Sequence, residues 1–171
     1  MNYFEQETER LFLRKLTLDD IPSWIEFFEG NDYLHFVGIT SDEPFEKLAT
    51  GWISRQLERY EESGLGMLAV IEKQTGLLIG LSGIIPREVD NQEYFEIAYS
   101  FKPKVWGKGF ATEAALQLKR HGFESGLSDH FISIIDLDNF PSQAVARKNG
   151  MEIIRKTNYM DMEVFIFAVS K

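Results

Sequence analysis

EYFEIAYSFKPKVWGKGFATEAALQLKRHGFE, residues 93–124, decides the fold of this chain. Glu93 to Phe101 reads as a strand that stops at Lys102-Pro103, because proline cannot donate to a ladder. From Gly107 to Glu124 the spacing of Phe110, Ala114, Ala115 and Leu118 puts an apolar stripe along one side of a helix. Between them lies the glycine turn Lys104-Val105-Trp106-Gly107-Lys108-Gly109. A strand feeding through glycines straight into a helix presents unpaired amides at the positive end of the helix dipole, so the turn is a candidate anion site. The glycines let main chain approach an anion closely, and Lys108 adds charge at the rim.

What the turn lacks narrows the anion. A Walker loop ends in Gly-Lys-Ser/Thr, and Gly107-Lys108-Gly109 has no magnesium-binding hydroxyl. A dinucleotide fingerprint needs a small third residue where Thr112 stands, inside a βαβ unit near the N-terminus.

Downstream, His130 to Asp136 reads as a strand, and Asp138-Asn139-Phe140-Pro141 opens a short helix that Gly150 ends. Two last strands, Met151 to Arg155 and Val164 to Ser170, flank a loop from Lys156 to Met162. Upstream, Thr8 to Leu16 alternates as a strand, Thr17-Leu18-Asp19-Asp20 caps a helix over Ile21 to Phe28, and Phe45 to Glu62 returns to helical spacing. Glu29 to Pro44 fits neither period and is a candidate substrate loop. Met67 to Glu72 and Leu77 to Ile85 form a hairpin about Lys73-Gln74-Thr75-Gly76, and a polar loop, Arg87 to Gln92, leads into the strand at Glu93. Strands, then strand-helix-strand-helix, then strands again describe an α+β domain with a mixed sheet and one right-handed crossover.

At 171 residues the chain fits one domain able to bury its own core. The absence of cysteine excludes a disulfide framework, a thiol nucleophile and thiolate-bound zinc. The acidic start, Met1 to Glu7, has no basic or apolar signal region, and no apolar run approaches the roughly 20 residues that span a bilayer. A cytoplasmic location is expected. The net charge of −9 argues against nucleic acid and favours cationic partners. His35 and His130 lack companions at metal-ligand spacing, and His121 reads as part of a solvated basic helix end beside Lys119 and Arg120. Trp24 and Trp52 read as core or cleft wall.

Four segments in order, Thr8 to Arg14, Phe95 to Tyr99, Trp106 to Ala114 and Asn139 to Met151, resemble the GNAT acetyltransferases. Within them the chain looks like the branch related to the ribosomal-protein N-terminal acetyltransferases of the RimJ/RimL type. The resemblance makes residues 8–171 the N-acetyltransferase domain and 1–7 a short extension. It implies the GNAT fold, a mostly antiparallel mixed sheet of about six to seven strands with about four helices. It also implies a splay between two central parallel strands, here Glu93 to Phe101 and His130 to Asp136, which admits the pantetheine arm of acetyl-CoA. The family's phosphate motif, Gln/Arg-x-x-Gly-x-Gly/Ala, falls on Lys104, Gly107 and Gly109, with Lys104 replacing the usual first residue. The cofactor contacts so implied are Ile97, Ala98 and Tyr99 on the strand, Lys104, Val105, Trp106, Gly107, Lys108, Gly109, Phe110, Ala111 and Thr112 at the turn, and Asn139 and Ser142. Asn139 reads equally as a helix N-cap.

The tyrosine with which many members protonate the departing thiolate falls on Ala146. Ser142 matches the branch's serine near the cofactor sulfur, and reads also as a first-turn serine bonded to a backbone amide. Amines titrate near about 7.7–8.0 or about 10.4, so attack on a thioester needs a base, for which Glu96 is the candidate. Ala98 stands where the branch frequently has glycine. The implied acceptor is a primary amine, on a protein N-terminus or a small cationic molecule. Glu29, Asp32, Asp42, Glu43 and Asp161 are expected to attract it. Neither nucleic acid nor membrane is an expected partner, and a homodimer is left open. The rival is an acyl-CoA sensor with little turnover, which the missing tyrosine supports.

Overall fold

The computed structural model describes residues 2–171. Eight strands form one sheet: β1 Glu5–Glu7, β2 Leu11–Arg14, β3 Gly66–Glu72, β4 Leu78–Val89, β5 Gln92–Phe101, β6 His130–Asp136, β7 Glu152–Tyr159 and β8 Met162–Ser170. Their spatial order is β1-β2-β3-β4-β5-β6-β8-β7, antiparallel everywhere except between β5 and β6. The helices are α1 Ile21–Ile25, α2 Phe45–Ser63, α3 Phe110–Glu124 and α4 Phe140–Lys148. The expected mixed sheet with four helices is present, with eight strands in place of six to seven.

The added strand is β1, from the segment read as an extension. Gln6 is fully buried and receives a 2.9 Å hydrogen bond from Gln117 of α3. The Tyr3 hydroxyl donates to the Gly66 carbonyl at 2.5 Å and accepts from the Ile84 amide at 2.7 Å, satisfying main-chain groups where β3 begins and β4 runs on past it. His121 is half-buried rather than solvated, with Nδ1 3.3 Å from Gln6 Nε2, and burial holds its pKa below the ordinary value. Residues 2–7 cover it.

The loops read at Arg87 to Gln92 and Lys156 to Met162 are strand. Asp90 and Asn91 have φ of 51° and 61°, and Met160 and Asp161 have 47° and 63°, so each pair closes a two-residue hairpin with both central residues left-handed. Neither pair contains the glycine that usually marks such a turn, and the charged flanks and Pro86 disguise the ladder. Pro86 fits because it sits beyond Ile84, the last residue of β4 paired to β3. The alternation set by the Ile84 amide turns its missing N–H away from β5, where no strand needs it.

Alternation along β5 assigns the layers. Tyr99 reaches α4 and Phe95 meets Phe131, the residue against which Gly122 of α3 packs, so α3 and α4 cover one face. Lys102, on the other face, reaches Ser23 of α1. Trp24, stacked on Phe27 at 4.5 Å and edge-on to Trp52 at 5.5 Å, joins α1 to α2 there.

Tyr3→Phe strands a buried amide and a buried carbonyl. It should lower unfolding free energy by about 1–3 kcal/mol in urea titrations, and an unchanged midpoint would mean that the segment only rests on the sheet.

Candidate active site

The parallel strands at the centre hardly pair. β5 and β6 share the single register pair Glu96↔Ile132, and one residue further Ser133 Oγ donates to the Ile97 carbonyl at 2.7 Å. Beyond this no ladder joins them, whereas β5 stays registered to β4 as far as Phe101 and β6 to β8 as far as Asp136. A gap opens between two intact half-sheets, at the splay expected from the resemblance. Because Ile84 turns its amide toward Tyr3, the facing main chain of Ala98 points to β4, and Ser82 Oγ bonds the Ala98 carbonyl at 2.9 Å. The Tyr99 amide is the one that faces the gap.

The glycine turn lies at the end of this gap. Val105 and Trp106, expected in the cradle, spend their amides on a 3-10 turn, bonding Lys102 O at 3.1 Å and Pro103 O at 3.2 Å. The first intrahelical bond runs from the Glu113 amide to Gly109 O. The amides of Gly107, Lys108, Gly109, Phe110, Ala111 and Thr112 therefore have no acceptor among the described residues. Gly107 and Gly109 hold φ of 75° and 81°, where a β-carbon costs roughly 1–2 kcal/mol. Six consecutive free amides at a helix N-terminus fit a pyrophosphate.

Lys104 does not reach into this cradle. Its ammonium pairs with Glu26 at the end of α1, and buried Lys102 bonds Ser23 at 3.0 Å and Glu26 at 3.3 Å. Burial holds the Lys102 ammonium below its ordinary pKa, against the pull of Glu26. The cation at the cradle is Arg10, which the residue pattern did not single out. Its guanidinium bonds Glu113 at 2.6 Å and the Lys108 carbonyl at 2.9 Å, and stacks 4.4 Å from the Phe110 ring centre. Arg10 immediately precedes β2 and is far from the turn in sequence, so only the folded chain identifies it. Trp106 anchors the turn's outer side through a 2.7 Å bond from Nε1 to Phe101 O. Exposed Lys108 stays at the rim.

Glu96 and Ser142 flank opposite faces of β5. Glu96 is 7% exposed, and its Oε2 lies 2.6 Å from Arg87 Nε on the α2 face. Ser142 sits in the first turn of α4 on the other face, where its amide bonds Asn139 Oδ1 at 3.2 Å. Asn139 is thus the N-cap, and its Nδ2 makes no bond among the described residues, which leaves it free to donate to a ligand. Tyr99 Oη crosses from β5 to donate to the Ser142 carbonyl at 2.9 Å, and burial pushes its phenol far above the ordinary range. Ala146, where the family's tyrosine would stand, faces the core at 1% exposure.

On the α2 face a cleft of about 1010 Å³ runs from Trp52 to the turn of β7 and β8 at Met160, with Ile85 and Arg87 on its sheet side. Of the five carboxylates expected to attract a cation, only Glu43 lines it, and Glu43 is paired with Lys47. Glu29, Asp32, Asp42 and Asp161 lie outside. Trp24 is core and Trp52 is cleft wall, as read from the sequence. Among the described residues no acidic, histidine or cysteine group could hold a metal, and no helix is long and apolar enough to cross a membrane.

Known proteins resemble this chain in sequence and fold. The family described as acetyltransferase (GNAT) domain matches residues 10–152. The uncharacterized protein YkkB of Bacillus subtilis (strain 168) is 34% identical over 155 residues, covering 88% of each chain. A crystal structure of an acetyltransferase from Agrobacterium tumefaciens str. C58 superposes with a TM-score of 0.82 at 26% identity, covering 98% of this chain and 94% of that one. RimL, a ribosomal L7/L12 α-N-protein acetyltransferase solved with coenzyme A, shares the fold with a TM-score of 0.76 at 17% identity, over 95% of both chains.

Gly109→Asp puts a carboxylate among the free amides, and Arg10→Ala removes the adjacent cation. Each should weaken coenzyme A about tenfold or more in calorimetry, the scale of one lost charge-assisted hydrogen bond. Wild-type affinity in both variants would move the pyrophosphate elsewhere.

Proposed function

Because the chain belongs to the GNAT acetyltransferase family, we propose that it transfers the acetyl group of acetyl-CoA to a primary amine by direct attack in a ternary complex. One observation carries this reading: the gap between β5 and β6 runs from six free amides at one end to Glu96, beside the cleft, at the other. Acetyl-CoA supplies an acyl group activated as a thioester. The amides of residues 107–112 and Arg10 hold its pyrophosphate, and Asn139 Nδ2 is placed to bond the arm. The Tyr99 amide, facing the gap, is oriented to stabilise charge on the carbonyl oxygen.

The amine must attack in its neutral form. Its nitrogen forms the new bond to the carbonyl carbon, the carbon–sulfur bond breaks, and one proton passes from nitrogen to the departing thiolate. Glu96, fixed by Arg87, takes that proton directly or through a water, and the Ser142 hydroxyl donates at the sulfur. A thiol with a pKa of about 8.5 leaves readily enough that a serine suffices where the family's tyrosine is replaced by Ala146. Both a protein N-terminus and a small amine satisfy this chemistry. An acyl-CoA sensor is the second reading, favoured by Ala146; release of free thiol from acetyl-CoA with a panel of amines decides between them.

Glu96→Gln should lower kcat by ~10²-fold, most at low pH where neutral amine is scarce, with coenzyme A affinity kept. Ser142→Ala should lower turnover more than donor binding, as a contact strengthened in the transition state does. Equal losses in turnover and affinity would reduce both residues to positioning groups.

A further inference from the structure

The cleft beside Glu96 is basic in an acidic protein. Four basic side chains, Lys47, Arg55, Arg59 and Arg87, and two acidic ones, Glu43 and Glu46, line it, while the chain as a whole carries −9. Three of the four basic groups already have carboxylate partners. Lys47 pairs with Glu43, Arg87 with Glu96 at 2.6 Å, and Arg55 with Glu58 at 3.0 Å and Glu62 at 3.1 Å along the outer side of α2.

Arg59 differs. It is half-buried on the cleft side of α2, and its guanidinium makes no ion pair or hydrogen bond among the described residues. Burial, then the nearby charges of Arg87 and Arg55, pull its pKa down to about 10, with Glu96 and Tyr159 opposing. At neutral pH it stays protonated, so the cleft holds a partly desolvated cation among like charges. Such an arrangement is costly unless an anion completes it, and a guanidinium fork matches the paired oxygens of a carboxylate or phosphate. An ammonium group entering alone would leave Arg59 without a counter-ion.

We propose that the acceptor is a small amine that also bears an oxyanion, a carboxylate or phosphate, which docks on Arg59 and directs the amine toward Glu96. This deepens the acetyl-transfer reading and rests on it. A single anchor on α2 and a base on β5 then set the distance between the acceptor's two ends. Specificity comes from where the negative group sits, because a partner without it leaves Arg59 unpaired.

Thiol release is measured with four primary amines, compared at equal concentrations of the neutral amine: an amino acid, its uncharged amide, an aminoalkyl phosphate and an aliphatic diamine. The amino acid, the phosphate or both should be preferred at least tenfold in kcat/KM over the amide and diamine, and which of the two leads identifies the oxyanion. Arg59→Gln should raise KM for the preferred acceptor about tenfold or more at nearly constant kcat, leave the uncharged amide unchanged, and be partly rescued by Arg59→Lys. Added salt should erode the preference. Equal or better use of the amide or diamine, or an Arg59→Gln effect shared by every acceptor, overturns the oxyanion anchor and leaves acetyl transfer standing. No thiol release with any amine, while calorimetry still detects coenzyme A binding, overturns both.

Discussion

One register pair, Glu96↔Ile132, is all that joins the two halves of the sheet by ladder pairing. On one side, β5 is held by ten register pairs to β4, and beyond its end the Lys102 amide still bonds Ile79 O at 2.9 Å. On the other, β6 is bound along its whole length to β8. Lys102 draws the end of β5 toward α1 through Ser23 and Glu26, while β6 follows its own partner away. Main-chain groups are left facing one another across a gap too wide for a ladder. They need a partner that is not part of the chain, and in this chemical sense the missing ladder and the site are the same feature.

The cradle and the cleft sit at the two ends of that divergence, and each presents a cation in an acidic protein. At the cradle the charge comes from main-chain dipoles and Arg10; at the cleft it comes from arginines on α2 and β4. The carboxylates that make the chain acidic are largely elsewhere. Net charge describes solubility and long-range fields, and it says little about a pocket walled by a few oriented groups.

The glycine turn and the crossover were legible because each depends on local chemistry: proline stopping a strand, glycines before a helix, a 3.6-residue apolar stripe; the splay came only from the family resemblance. Asn139 was legible as a cap, the role its oxygen fills, while the arm contact implied by the resemblance would fall to its free nitrogen. The two hairpin tips were not, because Asp90-Asn91 and Met160-Asp161 adopt left-handed geometry without glycine. Arg10, Tyr3 and the Arg59 environment were hidden for another reason. Their significance lies in residues about one hundred, eighty and thirty positions away, and no local pattern encodes such a distance. The diversion of the Val105 and Trp106 amides is local, into a 3-10 turn that bonds three residues back, and the glycine pattern alone did not reveal it.

The long reach of Arg10 bears on how the molecule assembles. β1 pairs with β2, and β3 with β4 and β5, through short connections able to form early, whereas β2 meets β3 only across α1 and α2. The anion cradle is different: its main chain belongs to residues 107–112, yet its cation and its buttress on Glu113 arrive from residue 10. Loop closure across that span, together with docking of α3 on the finished sheet, must precede a competent cradle. Ligand competence therefore waits on this clasp, and a chain that has collapsed without it would look compact while lacking the cation beside its anion cradle.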